Sequence, residues 1–204
     1  MAREATMPAA RESLLDAAYT ALARRPWSGV RMVDVAAVAG VSRQTLYNEF
    51  GSKEGLARAL VRREADAYLA GVDRALKEGG LDTVAEWTVA SARRNPLVRA
   101  ALTGCWSERL PSPTLSAVPS SSAVPAQRRA DGPLPAPADL VALVRDRSLA
   151  ALGVAGTAKT EAEALARDCE LAVRIALSCV MVPPGGGGGV GRMVREAIRA
   201  GRSG

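Results

Sequence analysis

Residues 9–25 (AARESLLDAAYTALARR) place Leu14, Ala18 and Leu22 on one helical stripe with Leu15 and Tyr19 beside it. This pattern predicts an amphipathic first helix, which Pro26 and Gly29 stop. A second helix over 32–39 turns Val35, Ala36 and Ala39 inward and ends at Gly40; a third follows Ser42 to Phe50. Gly51 and Ser52 break the chain before a long helix from Lys53 to about Lys77, closed by Gly79 and Gly80. Asp82 or Thr83 can cap a further helix through Arg94, which Pro96 interrupts, and a shorter one runs to about Leu110.

Residues 111–137 (PSPTLSAVPSSSAVPAQRRADGPLPAP) show no periodicity and are read as a long disordered loop. Amphipathic patterning returns over 138–152. The longest apolar helix is expected over 160–182, with Thr160 and Glu163 spaced as a capping box. After Pro183, Pro184 and five glycines, a short last helix over 190–200 carries Val194, Ala197 and Ile198.

Composition agrees with an all-α reading. The 204 residues are 48% hydrophobic but 3% aromatic, and Ala and Leu favour helix over strand. The formal charge of +6 permits a polyanionic partner without requiring one. There is no histidine, and Cys105, Cys169 and Cys179 lack metal-ligand spacing, so neither a zinc site nor another metal or cofactor is expected. Scattered thiols suit a reducing compartment, and the start of the chain lacks an apolar leader. No run approaches a membrane span, so a cytoplasmic protein is expected. No constellation suggests catalysis.

The chemistry concentrates in Val30 to Leu56, VRMVDVAAVAGVSRQTLYNEFGSKEGL. Two short helices meet at a tight turn: Ala36 is small enough for a close crossing, Gly40 accepts a left-handed backbone, and Val41 and Leu46 pin the second helix. Ser42 caps that helix and leaves its first turn facing outward, where it can enter a major groove. Arg43, Gln44 and Thr45 offer a guanidinium, an amide and a hydroxyl to base edges. Tyr47 and Lys53 are placed to grip phosphates, Lys53 at a helix N-terminus. Trp27 reads as a plug at the module's base and Tyr19 as core.

Through Ala39-Gly40-Val41, then Ser42, Thr45, Leu46, Tyr47 and Phe50, then Lys53, Glu54 and Leu56, the segment resembles the DNA-binding domain of the TetR family of bacterial regulators. The resemblance covers about residues 9–60; beyond it only a plan of several helices matches. Three positions depart from the family pattern. Arg31 replaces a common capping Thr, Gln44 a common small residue, and Glu49 a common His, with Glu49 expected to turn to Arg31, Arg43 or solvent.

The resemblance implies an all-α fold of about nine helices, a three-helix helix-turn-helix head at 1–52 and a helical ligand-binding and dimerisation body at 53–204. It implies a homodimer formed by the last two helices, with Leu165, Ala172, Ala176, Val180, Val194 and Ile198 at the interface. It implies repression at a palindromic double-stranded operator, relieved by a small, mostly apolar effector through the helix at 53–77. Trp87 and Trp106 are either core or pocket lining with Leu102, Leu143 and Met181. Arg174 either snorkels to an edge or serves as a ligand's counter-ion. The cysteines read as buried small hydrophobes. Two alternatives stand beside this reading: a ligand-independent or partner-controlled regulator, and a small-molecule binding helical protein with a vestigial head.

Overall fold

The computed structural model describes residues 7–111, 134–153, 159–184 and 189–202, all of whose regular structure is helical. The expected 111–137 loop falls almost wholly outside these residues. The chain divides into two compact units, one within Met1–Arg63 and Trp106–Leu134, the other within Glu64–Cys105 and Pro135–Gly204.

In the first unit, α1 (Met7–Arg24) buries Leu14, Leu15, Ala18 and Leu22. A 3-10 turn, Trp27–Gly29, buries Trp27, whose backbone N–H donates to Arg109 O at 2.9 Å. Tyr19, expected in the core, is half-buried. Then come α2 (Met32–Val38) and α3 (Arg43–Phe50). Their junction is a Schellman turn: Val41 N donates to Ala36 O, Gly40 N donates to Ala37 O, and Gly40 takes φ 69°. An L side chain there would meet no neighbour, so the requirement for glycine lies in the backbone itself.

α4 (Lys53–Glu78) begins in the first unit, where Ser52 Oγ accepts from Gly55 N and Leu56 and Leu60 are fully buried. Arg63 ties it to α1 through Asp16 at 2.7 Å. The division between the units therefore falls inside α4 rather than at its start.

In the second unit, α5 (Leu81–Arg94) packs against α6 (Pro96–Thr103), α8 (Lys159–Met181) and α9 (Val190–Arg202), while α7 (Pro137–Leu152) covers α6 and α8. Tyr68 OH pairs with Thr88 Oγ1 at 3.0 Å, and Asn95 Nδ2 donates to Glu64 Oε2 at 2.6 Å. Burial pushes the Tyr68 phenol up to about 12, so it stays a neutral hydrogen-bonding group. Asn95 also caps α6, accepting from Leu97 N and Val98 N, with Pro96 in the first turn where its missing N–H costs nothing.

Three expected boundaries shift. α5 starts at Leu81 behind Gly80, with no side-chain cap from Asp82 or Thr83. α6 stops at Thr103 rather than near Leu110 because Gly104 turns left-handed, φ 71°. Thr160 lies inside α8, which starts at Lys159, so it is not the cap of that helix.

Candidate nucleic-acid interface

α3 carries the residues expected to meet DNA. Ser42 Oγ accepts from Thr45 N at 3.0 Å and also bonds Thr45 Oγ1 at 2.9 Å, which closes the first turn on itself. Ser42, Arg43 and Gln44 are exposed, and Thr45 and Tyr47 are partly so. The opposite side of α3, Leu46 and Phe50, is buried. The same helix thus has one face committed to the core and one facing outward.

Two contacts organise the outward face. The Arg43 guanidinium lies 5.4 Å from the Tyr47 ring centroid, a cation–π arrangement that steadies both side chains. Gln44 Nε2 donates to Asn48 Oδ1 at 2.8 Å. Asn48, exposed and one turn beyond Gln44, was missed by sequence reasoning; its i+4 spacing from Gln44 was the available signal.

Lys53 opens α4 with its Nζ donating to Ser28 O at 3.0 Å and sitting 5.6 Å from the Trp27 centroid. Partial burial lowers its pKa, opposed by Glu54. An ammonium has three N–H donors, so two remain for an anion.

The departures at Arg31 and Glu49 resolve into local pairs. Arg31 stands at the N-cap of α2 without a side-chain cap bond and instead grips Asp34 through Nε at 2.9 Å and Nη2 at 2.8 Å. This bond, more than charge alone, lowers the Asp34 carboxyl below its ordinary range. Glu49 turns to none of its expected partners: Arg11 takes it, at 3.7 Å, while lying 4.8 Å from the Phe50 ring. A first-helix cation reaches it because α1 and α3 pack together.

Of the six side chains expected around a ligand, one lines a described cleft. Trp87 lines a cleft of about 420 Å3 with Gly71, Arg74, Ala75, Glu78, Thr83, Glu86, Ala90 and Arg94, and none of the other expected residues lines it. Leu102 is buried, Leu143 and Met181 are exposed, and Trp106 belongs to the first unit. Arg174 is exposed and held by Glu170 at 2.6 Å, which is the edge reading rather than the counter-ion one.

The residues of the expected dimer stripe are placed differently from one another. Ala172, Ala176, Val180 and Val194 are buried within the protomer, whereas Leu165 and Ile198 are half-buried. On α8 and just past it, Leu171, Met181 and Val182 are exposed, as is Met193 on α9. Cys169 and Cys179 are buried, whereas Cys105, expected to be buried, is exposed. Burial pushes the Cys169 thiol up to about 11, away from reactivity. Among the described residues no helix is long and apolar enough to cross a membrane.

Residues 14–60 match the model of the tetR family of bacterial regulatory proteins. Over 188 residues, 89% of this chain and 79% of the relative, the protein is 35% identical to the HTH-type transcriptional regulator AlkX of Mycobacterium tuberculosis (strain ATCC 25618 / H37Rv). Among solved structures it is similar to the TetR family repressor AlkX from Dietzia sp. strain DQ12-45-1b, implicated in biodegradation of n-alkanes. That pair shares 23% identity and a TM-score of 0.48 over 93% of this chain and 91% of the other. A TetR regulator from Rhodococcus sp. RHA1 aligns at 20% identity and a TM-score of 0.48, with 95% of each chain covered. These are regulators and not enzymes. The matched segment holds the capped α3 and its outward residues, and the chain belongs to the TetR family of DNA-binding transcriptional regulators.

Proposed function

We propose that the protein is a homodimeric repressor that reads a two-fold symmetric operator and is released from it by a small-molecule effector. The carrying observation is the capped N-terminal turn of α3, with Arg43 and Gln44 exposed beyond it. Arg43 matches guanine O6 and N7, and the Gln44 amide matches adenine, with Asn48 one turn further along the same face. Tyr47 and Lys53 hold phosphates and fix the register in which the bases are read. Self-association through the exposed Leu171, Met181, Val182 and Met193 would bring two such helices to successive grooves. α4 supports ligand control, because the helix that opens with Lys53 also supplies Gly71, Arg74 and Ala75 to the cleft beside Trp87. An effector favouring one of two states shifts their populations by its differential affinity.

Selection of bound sequences from a random DNA library tests the reading directly. A consensus of two inverted half-sites is expected, bound by two chains. Binding that stays blind to sequence as salt is raised would overturn it. Operator release with no small molecule, driven by a protein partner instead, would favour the partner-controlled alternative.

A further inference from the structure

Trp87 is half-buried and held from more than one side. Its Nε1 donates to Tyr68 O at 3.0 Å, which fixes the ring on α4. A Cβ at Gly71 would come within 2.0 Å of Trp87 Cζ2, so only glycine lets the indole lie this close to the helix. Two guanidiniums converge on it: Arg74 at 5.6 Å and Arg94 at 5.5 Å from the ring centroid.

Several other arginines of the same unit find carboxylates. Arg147 pairs with Asp73, Arg174 with Glu170, Arg192 with Glu196 and Arg195 with Asp82. Arg74 and Arg94 do not pair with one among the described residues, although Glu78 stands at i+4 from Arg74 and lines the same cleft. Their charge is directed at the ring and left available to an anion. The cleft volume of about 420 Å3 lies within the range of small-molecule sites.

We propose that this cleft binds a planar aromatic monocarboxylate, its carboxylate bridged by Arg74 and Arg94 and its ring system laid against Trp87, Ala75 and Ala90. Guanidiniums recognise carboxylates through paired N–H donors and also stack on flat π systems, so a planar anion satisfies both properties. The small side chains of Ala75 and Ala90 leave space beside the indole for a ring system. Glu78 and Glu86 line the same cleft and disfavour a second negative charge, which selects monoanions over dianions. That occupancy releases DNA rests on the regulatory reading above; the binding itself does not.

The test uses the full chain, 2-naphthoate as probe, and titration calorimetry. Saturable binding at one molecule per chain is expected, with neutral 2-naphthamide and dianionic naphthalene-2,6-dicarboxylate weaker by roughly tenfold or more. Arg74→Gln with Arg94→Gln should lose the naphthoate by a similar factor, while Arg174→Gln with Arg192→Gln should leave it unchanged. Absence of saturable naphthoate binding, equal binding of the amide, or undiminished binding by the Arg74/Arg94 variant would each overturn the site. Operator affinity measured with and without naphthoate separates the two readings. Binding at the cleft that leaves operator affinity untouched keeps the site and sinks the effector role. Naphthoate-driven release that persists in the Arg74/Arg94 variant sinks the site.

Discussion

At the residue scale, the Gln44–Asn48 hydrogen bond couples two side chains on the outward face of α3, which the proposed function makes one reading unit. Each amide orients the other, so removing either disorders both. Gln44→Ala and Asn48→Ala should each relax preference at the same base pair, by about 1–3 kcal/mol. The double variant should cost clearly less than the sum of the two, measured by competition binding on operator variants. Fully additive losses at different bases would show the residues to be independent. Lys53→Ala should behave differently, weakening every sequence alike and reducing the salt slope by about one. Because Lys53 also holds Ser28 O over Trp27, its loss should be accompanied by a modest drop in stability of the first unit.

At the element scale, α2 begins without a cap and is held instead by the Arg31–Asp34 bond. Arg31 keeps the Asp34 pKa below its unfolded value, so the contribution is present above the ordinary carboxylate range and lost as pH falls through it. Protection factors of the amides in the first turn of α2, taken relative to intrinsic exchange at each pH, should fall on acidification, and Asp34→Asn should remove that fall. α9 is fastened at its far end by Arg202, whose Nε and Nη2 both donate to Asp168 Oδ2 of α8. The Asp168 side chain is only 12% exposed, so truncating its partner strands a carboxylate. Arg202→Ala should destabilise the second unit by about 1 kcal/mol, read as a shift in denaturant midpoint, a value held down because Arg202 itself is well exposed.

The same scale explains what could be read from the sequence. The turn between α2 and α3 was legible because its determinants are local: Gly40 supplies the left-handed residue, Ser42 the cap, and Ala36 the acceptor for Val41 N. The α8 faces were not. Its stretch LAVRIALSCVM is apolar almost all round, so periodicity alone could not tell Ala172, Ala176 and Val180, which face α5 and its neighbours, from Leu171 and Met181, which are left outside. The Trp87 cleft was only half legible: the indole drew notice, but Gly71, Arg74 and Arg94 lie on two helices and meet only in the fold.

At the scale of the whole molecule, the proposed two-fold operator reading would require a second copy, and the exposed Leu171 and Met181 are among the apolar positions that could meet it. Leu171→Lys with Met181→Lys should convert a dimer to a monomer in sedimentation equilibrium while leaving the helical circular dichroism intact. Operator affinity should fall by about a hundredfold or more, since the two half-sites would no longer be linked. A dimer that persists would move the interface elsewhere on the body.

Trp27 N reaches across the sequence to Arg109 O, so part of what completes the DNA-binding unit arrives after α4, α5 and α6 have been traversed. Chimaeras that graft this protein's first sixty residues onto another regulator's body would leave the Trp27 amide without that acceptor. A splice carrying residues 106–111 along with them restores the bond, and the stability difference between the two hybrids would measure how far the reading head is a portable cassette.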